Sequence, residues 1–344
     1  MSLIHYALVF LISVGLSYAL TPLSIRVGRR MGLVAVPGGR RTHQGEVVRI
    51  GGLGLYPAFL CATLVTLGIE RQDPLELTRL IGVLVGMGVV WVVGLVDDRY
   101  SLPATAQIGG LALAAAVAIA CSVFVEMFNS PFHEEQIKVD WYIMVPITLA
   151  WLVGMSGTMN VVDGLDGLAT GITAIAALIL FLHMLRLEQY SVSLLPLALM
   201  GCCLGFLPYN YAPARIFLGG GAHMLGFGLG ALSIIAGAKV ASALLVLWVP
   251  IMDVVWQIYA RRRRGQSVGL GDRGHLHFRL QDLGWGTRKI VWLYWGVTLA
   301  LGAVALLVSS RMLKLVVLLG GAVGMAVVLA TLTHISGDET TSGR

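Results

Sequence analysis

The sequence predicts an all-α integral membrane protein that crosses the bilayer repeatedly, and three observations carry that expectation. Of its 344 residues, 57% are hydrophobic and only 12% are charged, about half the charged share of an ordinary soluble domain. The mean hydropathy is +0.83. Uncharged runs such as 80–96, 104–125 and 290–309 approach or reach the ~20 apolar residues that a helix needs to span hydrocarbon. A soluble globule and a disordered chain are excluded by this composition. No stretch alternates apolar and polar residues over about 10 positions, so a transmembrane β-barrel is unsupported and is set aside.

In chain order the apolar segments fall at 3–25, 52–69, 80–96, 104–125, 142–159, 165–185, 192–212, 222–236, 240–259, 290–309 and 314–333, about eleven spans. The first runs to Arg26 and the second ends before Glu70. The third stops at Asp97, the fourth starts after Pro103, and the fifth closes on Asn160. The sixth ends at Arg186, the seventh before Pro213, and the eighth follows the glycine triplet Gly219 to Gly221. The ninth runs into Arg261 to Arg264, and the last two flank Arg311. The start MSLIHY lacks the basic beginning of a secretory signal, so the first span is expected to stay. Lys and Arg number 17 in the connections on one side, including the C-terminus, and 7 on the other. The positive-inside bias therefore makes the richer side cytoplasmic and the N-terminus external.

The longest connection, 260–289, is too short to fold alone. Residues 1–344 are read as one transmembrane domain with 260–289 as a cytoplasmic His/Arg loop, and any chemistry must be built from loops and helix ends at one membrane face. The four cysteines lie in apolar runs without C-x-x-C spacing and are read as core residues. The net charge of +6 and the Arg261 to Arg264 cluster read as topology determinants, and no nucleic-acid partner is expected. GxxxG spacings at Gly82/Gly86, Gly226/Gly230 and Gly320/Gly324 read as close helix packing.

Carboxylates abutting apolar spans are costly unless they act, and four places on the cytoplasmic side concentrate such groups. Asp97 and Asp98, directly after an uncharged span, suit a divalent cation or a cationic substrate, with an exposed turn as the alternative. Asn160, Asp163 and Asp166 recur every three residues and share one face of a helix, a pattern for polar-ligand or metal recognition. His275 and His277, between Arg273 and Arg279, would grip phosphates or assist proton transfer, or would simply form a basic loop. The triplet Gly219-Gly220-Gly221 would let backbone N–H groups approach a phosphate, or serve as a flexible connector. Asp253 is read as either a site residue or a partner for a neighbouring helix.

On these residues the chain resembles the polyprenyl-phosphate N-acetylhexosamine-1-phosphate transferases, which include the phospho-MurNAc-pentapeptide translocase. The resemblance rests on RRTHQG (40–45) with IGGLG (50–54), VDDR (96–99), NVVDGLDGLATG (160–171), NYAPARIFLG (210–219) and GDRGHLHFRL (271–280). The GDRGHLH form is closer to the N-acetylglucosamine branch than to the peptidoglycan-precursor branch. The resemblance implies transfer of an N-acetylhexosamine-1-phosphate, with GlcNAc as the favoured sugar, from a UDP-sugar to undecaprenyl phosphate. UMP is released, Mg²⁺ or Mn²⁺ is required, and the product serves cell-envelope polysaccharides such as lipopolysaccharide or teichoic acid. It also implies a multi-pass inner-membrane protein whose active site faces the cytoplasm, in contact with the lipid bilayer, and it leaves a homodimer open.

Carried over by position, Asp97, Asp98, His275 and His277 would be catalytic. Asn160, Asp163, Asp166, Asn210, Arg273 and Arg279 would bind substrate, and Asp97, Asp98, Asp163 and Asp166 would hold the metal. The chain departs from the family pattern at several positions. The Asp that follows F-[LM]-G and resembles a magnesium ligand is absent between Gly219 and Gly220, a lysine after the acidic pair is absent over 104–107, and Phe278 replaces a third histidine. A homologue that binds polyprenyl phosphate or nucleotide sugar without turnover is therefore the second expectation. Reinserting the Asp is expected to raise metal-dependent turnover without straining the following span.

Overall fold

The computed structural model describes residues 2–35, 46–71, 73–129, 136–138, 140–236, 240–263, 265 and 274–341. The helices are α1 (Leu3–Arg30), α2 (Gly52–Leu64), continued by a 3-10 turn at Val65–Gly68, α3 (Glu76–Tyr100), α4 (Ala104–Ala120), α5 (Trp141–Val162), α6 (Leu168–Arg186) and α7 (Tyr190–Asn210). They continue as α8 (Gly221–Ile235), α9 (Val240–Val246), α10 (Trp248–Arg263), α11 (Leu276–Asp282), α12 (Thr287–Leu307) and α13 (Arg311–Thr341). The chain is an all-α polytopic membrane protein. Among the described residues seven helices are long and apolar enough to cross a bilayer alone: α1, α3, α5, α6, α7, α12 and the Arg311–Thr331 part of α13.

Each of the eleven apolar segments read from the sequence coincides with helix, with two kinds of correction. The 240–259 segment is split into α9 and α10 at Leu247, and α2, α4 and α8 are shorter than a full span. The 15 residues of α8 make only about 22 Å, yet every one of them is buried, so protein rather than lipid surrounds it. Two antiparallel strand pairs are additions that hydropathy does not signal: β1 (Val34–Ala35) with β2 (Val47–Val48), and β3 (Met127–Asn129) with β4 (Gln136–Lys138).

Helices α7 and α8 form the centre of the core, with Phe206 and Phe227 completely buried. Close approach depends on small residues. At Gly226 of α8 a Cβ would stand 2.3 Å from the Met155 carbonyl of α5, and at Gly82 and Gly86 it would strike Cys121 and Phe227. These two GxxxG pairs pack helices as expected, whereas a Cβ on Gly320 or Gly324 would meet no other helix within 4 Å among the described residues. Far from these loops in sequence, the buried Glu76 carboxylate pairs with Arg71 at 2.7 Å and accepts the Ser191 hydroxyl at 2.8 Å, tying the starts of α3 and α7 together.

The loop after β2 is stitched to the loop after α7. Phe217 N–H donates to the Val48 carbonyl, Gly51 N–H to Phe217 O, and Gly52 N–H to Leu218 O, at 2.8 to 3.1 Å. This brings residues 49–52 and 216–219 beside the end of α3, where the acidic pair lies.

Candidate active site

At one end of the helical bundle a cavity of about 700 Å³ opens among loops from across the sequence. Its described lining includes Arg49, Asp97, Asn160, Asp163, Asp166, Asn210, Phe217, Phe278, Gln281 and Arg288. The volume suits a ligand of nucleotide-sugar size, since binding clefts range over roughly 300–1,000 Å³.

Asp97 and Asp98 end α3, and the two carboxylates have different surroundings. Asp97 lines the cavity while its Oδ1 accepts the Leu102 N–H at 2.8 Å and the Gln107 amide at 2.9 Å. Gln107 also donates to the Leu102 carbonyl at 3.0 Å, so the turn from α3 to α4 clamps one oxygen and leaves Oδ2 without a donor among the described residues. Asp98 lies a layer deeper with a wholly buried side chain. Its two oxygens receive the Gly220 N–H at 3.1 and 3.0 Å, and Arg49 Nε stands 3.6 Å away.

The glycine triplet is therefore neither a free connector nor an open phosphate loop. Gly219 has φ +56°, and a Cβ there would stand 2.4 Å from Asp98 Oδ2. A Cβ on Gly220 would meet the Gly94 backbone at 2.2 Å, and one on Gly221 would meet Gly52 at 2.7 Å. Here α2, α3 and α8 cross backbone to backbone, and the available N–H serves a carboxylate of the chain itself.

Asn160, Asp163 and Asp166 all line the cavity, but not as one helical face: α5 stops at Val162, so Asn160 is on its last turn while Asp163 and Asp166 lie in the turn that leads to α6. Asp163 caps the C-terminus of α5. Burial pushes its carboxyl well above the usual carboxylate range; Asp98 and Asp166 act in the same direction, and Arg49 opposes them. Asp166 accepts the Ala214 N–H at 2.9 Å. Asn210 is 1% exposed: its Oδ1 accepts the Thr170 hydroxyl at 2.6 Å, and its Nδ2 donates to the Ile216 carbonyl at 2.9 Å. The Asn210 amide thus holds the wall in shape.

The histidines sit behind the cavity surface. His275 Nδ1 is 2.9 Å from Asp253 Oδ2, and the Leu276 N–H donates to Asp253 Oδ1 at 2.9 Å, so Asp253 of α10 anchors the first turn of α11. His277 is 1% exposed, stacks on His275 with ring centroids 5.9 Å apart, and packs against Gly164. Residues Phe278 and Gln281 of α11 reach the cavity instead. Arg279 points its donors at the carbonyls of Gly274 (2.6 Å) and Leu329 (3.3 Å), which ties α11 to α13 rather than to the cavity. Arg273 and the RRTHQG segment lie outside the described residues.

Sequence reading missed Arg49, Gln281, Thr287 and Arg288 among the lining groups. A signal existed for Arg288: a cation in the first turn of a helix opposes the helix dipole and calls for a compensating reason. No three of His, Cys, Asp and Glu converge as a ready metal-ligand set among the described residues. Magnesium, however, commonly takes one or two protein carboxylates together with water and substrate phosphates. Asp97 and Asp163 on one cavity wall, with the buried Asp98 beside Asp163, present hard oxygen donors with excess negative charge. That donor set fits such a cation.

The profile of glycosyl transferase family 4 matches residues 80–237. The chain is 34% identical over 305 residues to the decaprenyl-phosphate N-acetylglucosaminephosphotransferase of Mycolicibacterium smegmatis, covering 80% of this chain and 75% of that one. It is 29% identical over 296 residues to the probable undecaprenyl-phosphate N-acetylglucosaminyl 1-phosphate transferase of Bacillus subtilis, with 84% and 81% covered. The phospho-N-acetylmuramoyl-pentapeptide-transferase of Listeria welshimeri matches over a shorter stretch, at 34% over 187 residues, with 53% and 56% covered.

Proposed function

The chain belongs to the polyprenyl-phosphate sugar-1-phosphate transferases of glycosyl transferase family 4, and from that premise we propose that it moves GlcNAc-1-phosphate from UDP-GlcNAc to undecaprenyl phosphate. The observation that carries the reading is one cavity of nucleotide-sugar size whose wall holds Asp97, Asn160, Asp163 and Asp166, in a chain whose relatives are named for this transfer. The binding-only alternative lacks comparable support.

In this reaction an oxygen of the acceptor phosphate attacks the β-phosphorus of the donor. The bond from that phosphorus to the bridging oxygen breaks, and the bridging oxygen leaves with UMP. Such a displacement needs alignment and charge neutralisation more than covalent help. Asp97 and Asp163 would hold a divalent cation, Mg²⁺ or Mn²⁺, whose charge would neutralise the diphosphate. Asp98 and Asp166 add negative charge beside that pair, and Arg49 keeps Asp98 in place. Gln107 holds Asp97 so that its second oxygen stays available to the ligand side. Phe217 and Phe278 give the cavity apolar faces against which a nucleobase or sugar ring rests. His275 and His277 act from behind the wall by fixing α11.

The orientation that serves a cytosolic UDP-sugar places the cavity and the C-terminus in the cytoplasm and the N-terminus outside, in the inner membrane. The test is conversion of UDP-GlcNAc and undecaprenyl phosphate by the purified protein with Mg²⁺, read as UMP release and lipid product. Absence of product with UDP-GlcNAc, UDP-GalNAc and UDP-MurNAc-pentapeptide, from protein that binds UMP, would sink the transferase reading in favour of binding alone.

A further inference from the structure

Arg288 is the second residue of α12 and lines the cavity from the corner between α11 and α12. Its guanidinium donates through Nε and Nη2 to one acceptor, the Ala212 carbonyl, at 3.2 and 3.0 Å, and lies 5.9 Å from the centroid of the Tyr211 ring. Tyr211 is itself fixed, since its hydroxyl accepts the Trp292 indole N–H at 3.0 Å and its ring packs against Trp295. The guanidinium is thus held in one plane while Nη1 has no partner among the described residues. No carboxylate accompanies it in the first turn of its helix. Arg49, the other arginine among the described lining residues, is already beside Asp98.

A row of contacts leads to this group. Asp163 and Asp166 line the same cavity, Asp166 accepts the N–H of Ala214, and Ala212 in the same turn accepts from Arg288. The carboxylates that suit a cation stand toward one end of the row and a fixed guanidinium with spare N–H groups stands at the other. A diphosphate laid along it would place the phosphate under attack by the carboxylates and the departing phosphate toward Arg288. Guanidinium donors match phosphate oxygens in charge and geometry. Resting on the donor reading above, we propose that Arg288 contacts the phosphate that leaves with the nucleoside, and so sets donor affinity and the retention of the nucleotide product.

The experiment titrates the full-length protein in detergent with UMP and with uridine, which differ by that phosphate alone. Wild type should bind UMP more tightly than uridine. Arg288→Gln, which keeps an amide donor for Ala212 and removes the charge, should weaken UMP by at least about tenfold, as expected for a lost charge-assisted contact. Uridine affinity should change by less than about twofold. Arg288→Lys, which keeps the charge and loses the fork on Ala212, should hold UMP within about threefold of wild type, and it carries the test if the glutamine variant does not fold. Equal losses for UMP and uridine in either variant would make Arg288 a support for the Ala212–Ala214 turn and overturn the proposal, as would unchanged UMP affinity in Arg288→Gln. Wild-type protein that binds neither ligand would overturn the sugar-nucleotide reading itself.

Discussion

Asp163 is the residue whose state depends most on what fills the cavity. With its carboxyl raised well above the ordinary 3.8, the folded protein keeps that proton at pH values where the unfolded chain has lost it. The native state then binds more protons than the unfolded one, so metal-free stability falls as pH rises from 3.8 toward the folded value. A divalent cation takes only the ionised carboxylate and reverses the trend. Mg²⁺ binding is therefore expected to release a proton and to strengthen with rising pH, and Asp163→Asn should abolish the release. Calorimetric titration in two buffers of different ionisation heat measures it; equal apparent heats for wild type would refute the coupling. For Asp97, replacement by Asn leaves the Leu102 and Gln107 contacts an oxygen to meet but removes the charge. Turnover should drop by at least about a hundredfold, roughly 2.7 kcal/mol of transition-state stabilisation, with little change in melting temperature. Asp97, Asp163 and Asp166 were legible in the sequence because carboxylates at the ends of apolar spans are too costly to be incidental, and Asn160 by its spacing to them. Arg49 and Gln281 were not, because each sits among ordinary polar residues of a basic side and acquires meaning only when folding brings it to the cavity; Arg288 carried only the weak signal of a cation in the first turn of a helix.

Among the elements, α11 shows how a motif can be right in place and different in role. His275 and His277 mark the segment, yet Asp253 on α10 holds His275 and the first N–H of α11, and the residues delivered to the cavity are Phe278 and Gln281. Asp253→Ala strands buried donors, at a cost of about 1–3 kcal/mol. It should raise the donor KM, since α11 brings Phe278 and Gln281 to the cavity; an unchanged donor KM in a folded variant would count against this role. The glycine turn behaves likewise. Sequence spacing suggests that an Asp inserted between Gly219 and Gly220 is accommodated, but the insertion moves Gly220 off Gly94 and its N–H off Asp98. It is expected to lower the melting temperature. Gly220→Ala should also destabilise, by at least about 1–3 kcal/mol for an overpacked contact, because backbone rather than a pliable side chain meets the new methyl group.

At the scale of the whole molecule, hydropathy located the apolar segments because it registers the difference between lipid and water. It could not register the break between α9 and α10, the wholly buried α8 or the two small strand pairs, all of which arise from helix packing and from backbone bonds between distant loops. Orientation is a separate question, on which charge bears. The 17 Lys and Arg on one side against 7 on the other bias that side to the cytoplasm, and the cavity is built from its loops. A sugar nucleotide made in the cytosol can reach the cavity only in that arrangement. The prediction uses a variant with Cys61, Cys121, Cys202 and Cys203 replaced by Ala, carrying one new cysteine at an exposed turn. Leu187→Cys, in the turn between α6 and α7, should react with a membrane-impermeant maleimide on intact cells from which any outer barrier has been removed. Leu283→Cys, after α11, should react only once the membrane is permeabilised. Both positions are half exposed, at 42% and 49%, so accessibility within the protein does not bias the comparison. The reverse pattern would put the carboxylate wall outside, away from any cytosolic donor, and would require the transfer to draw on a different substrate pool.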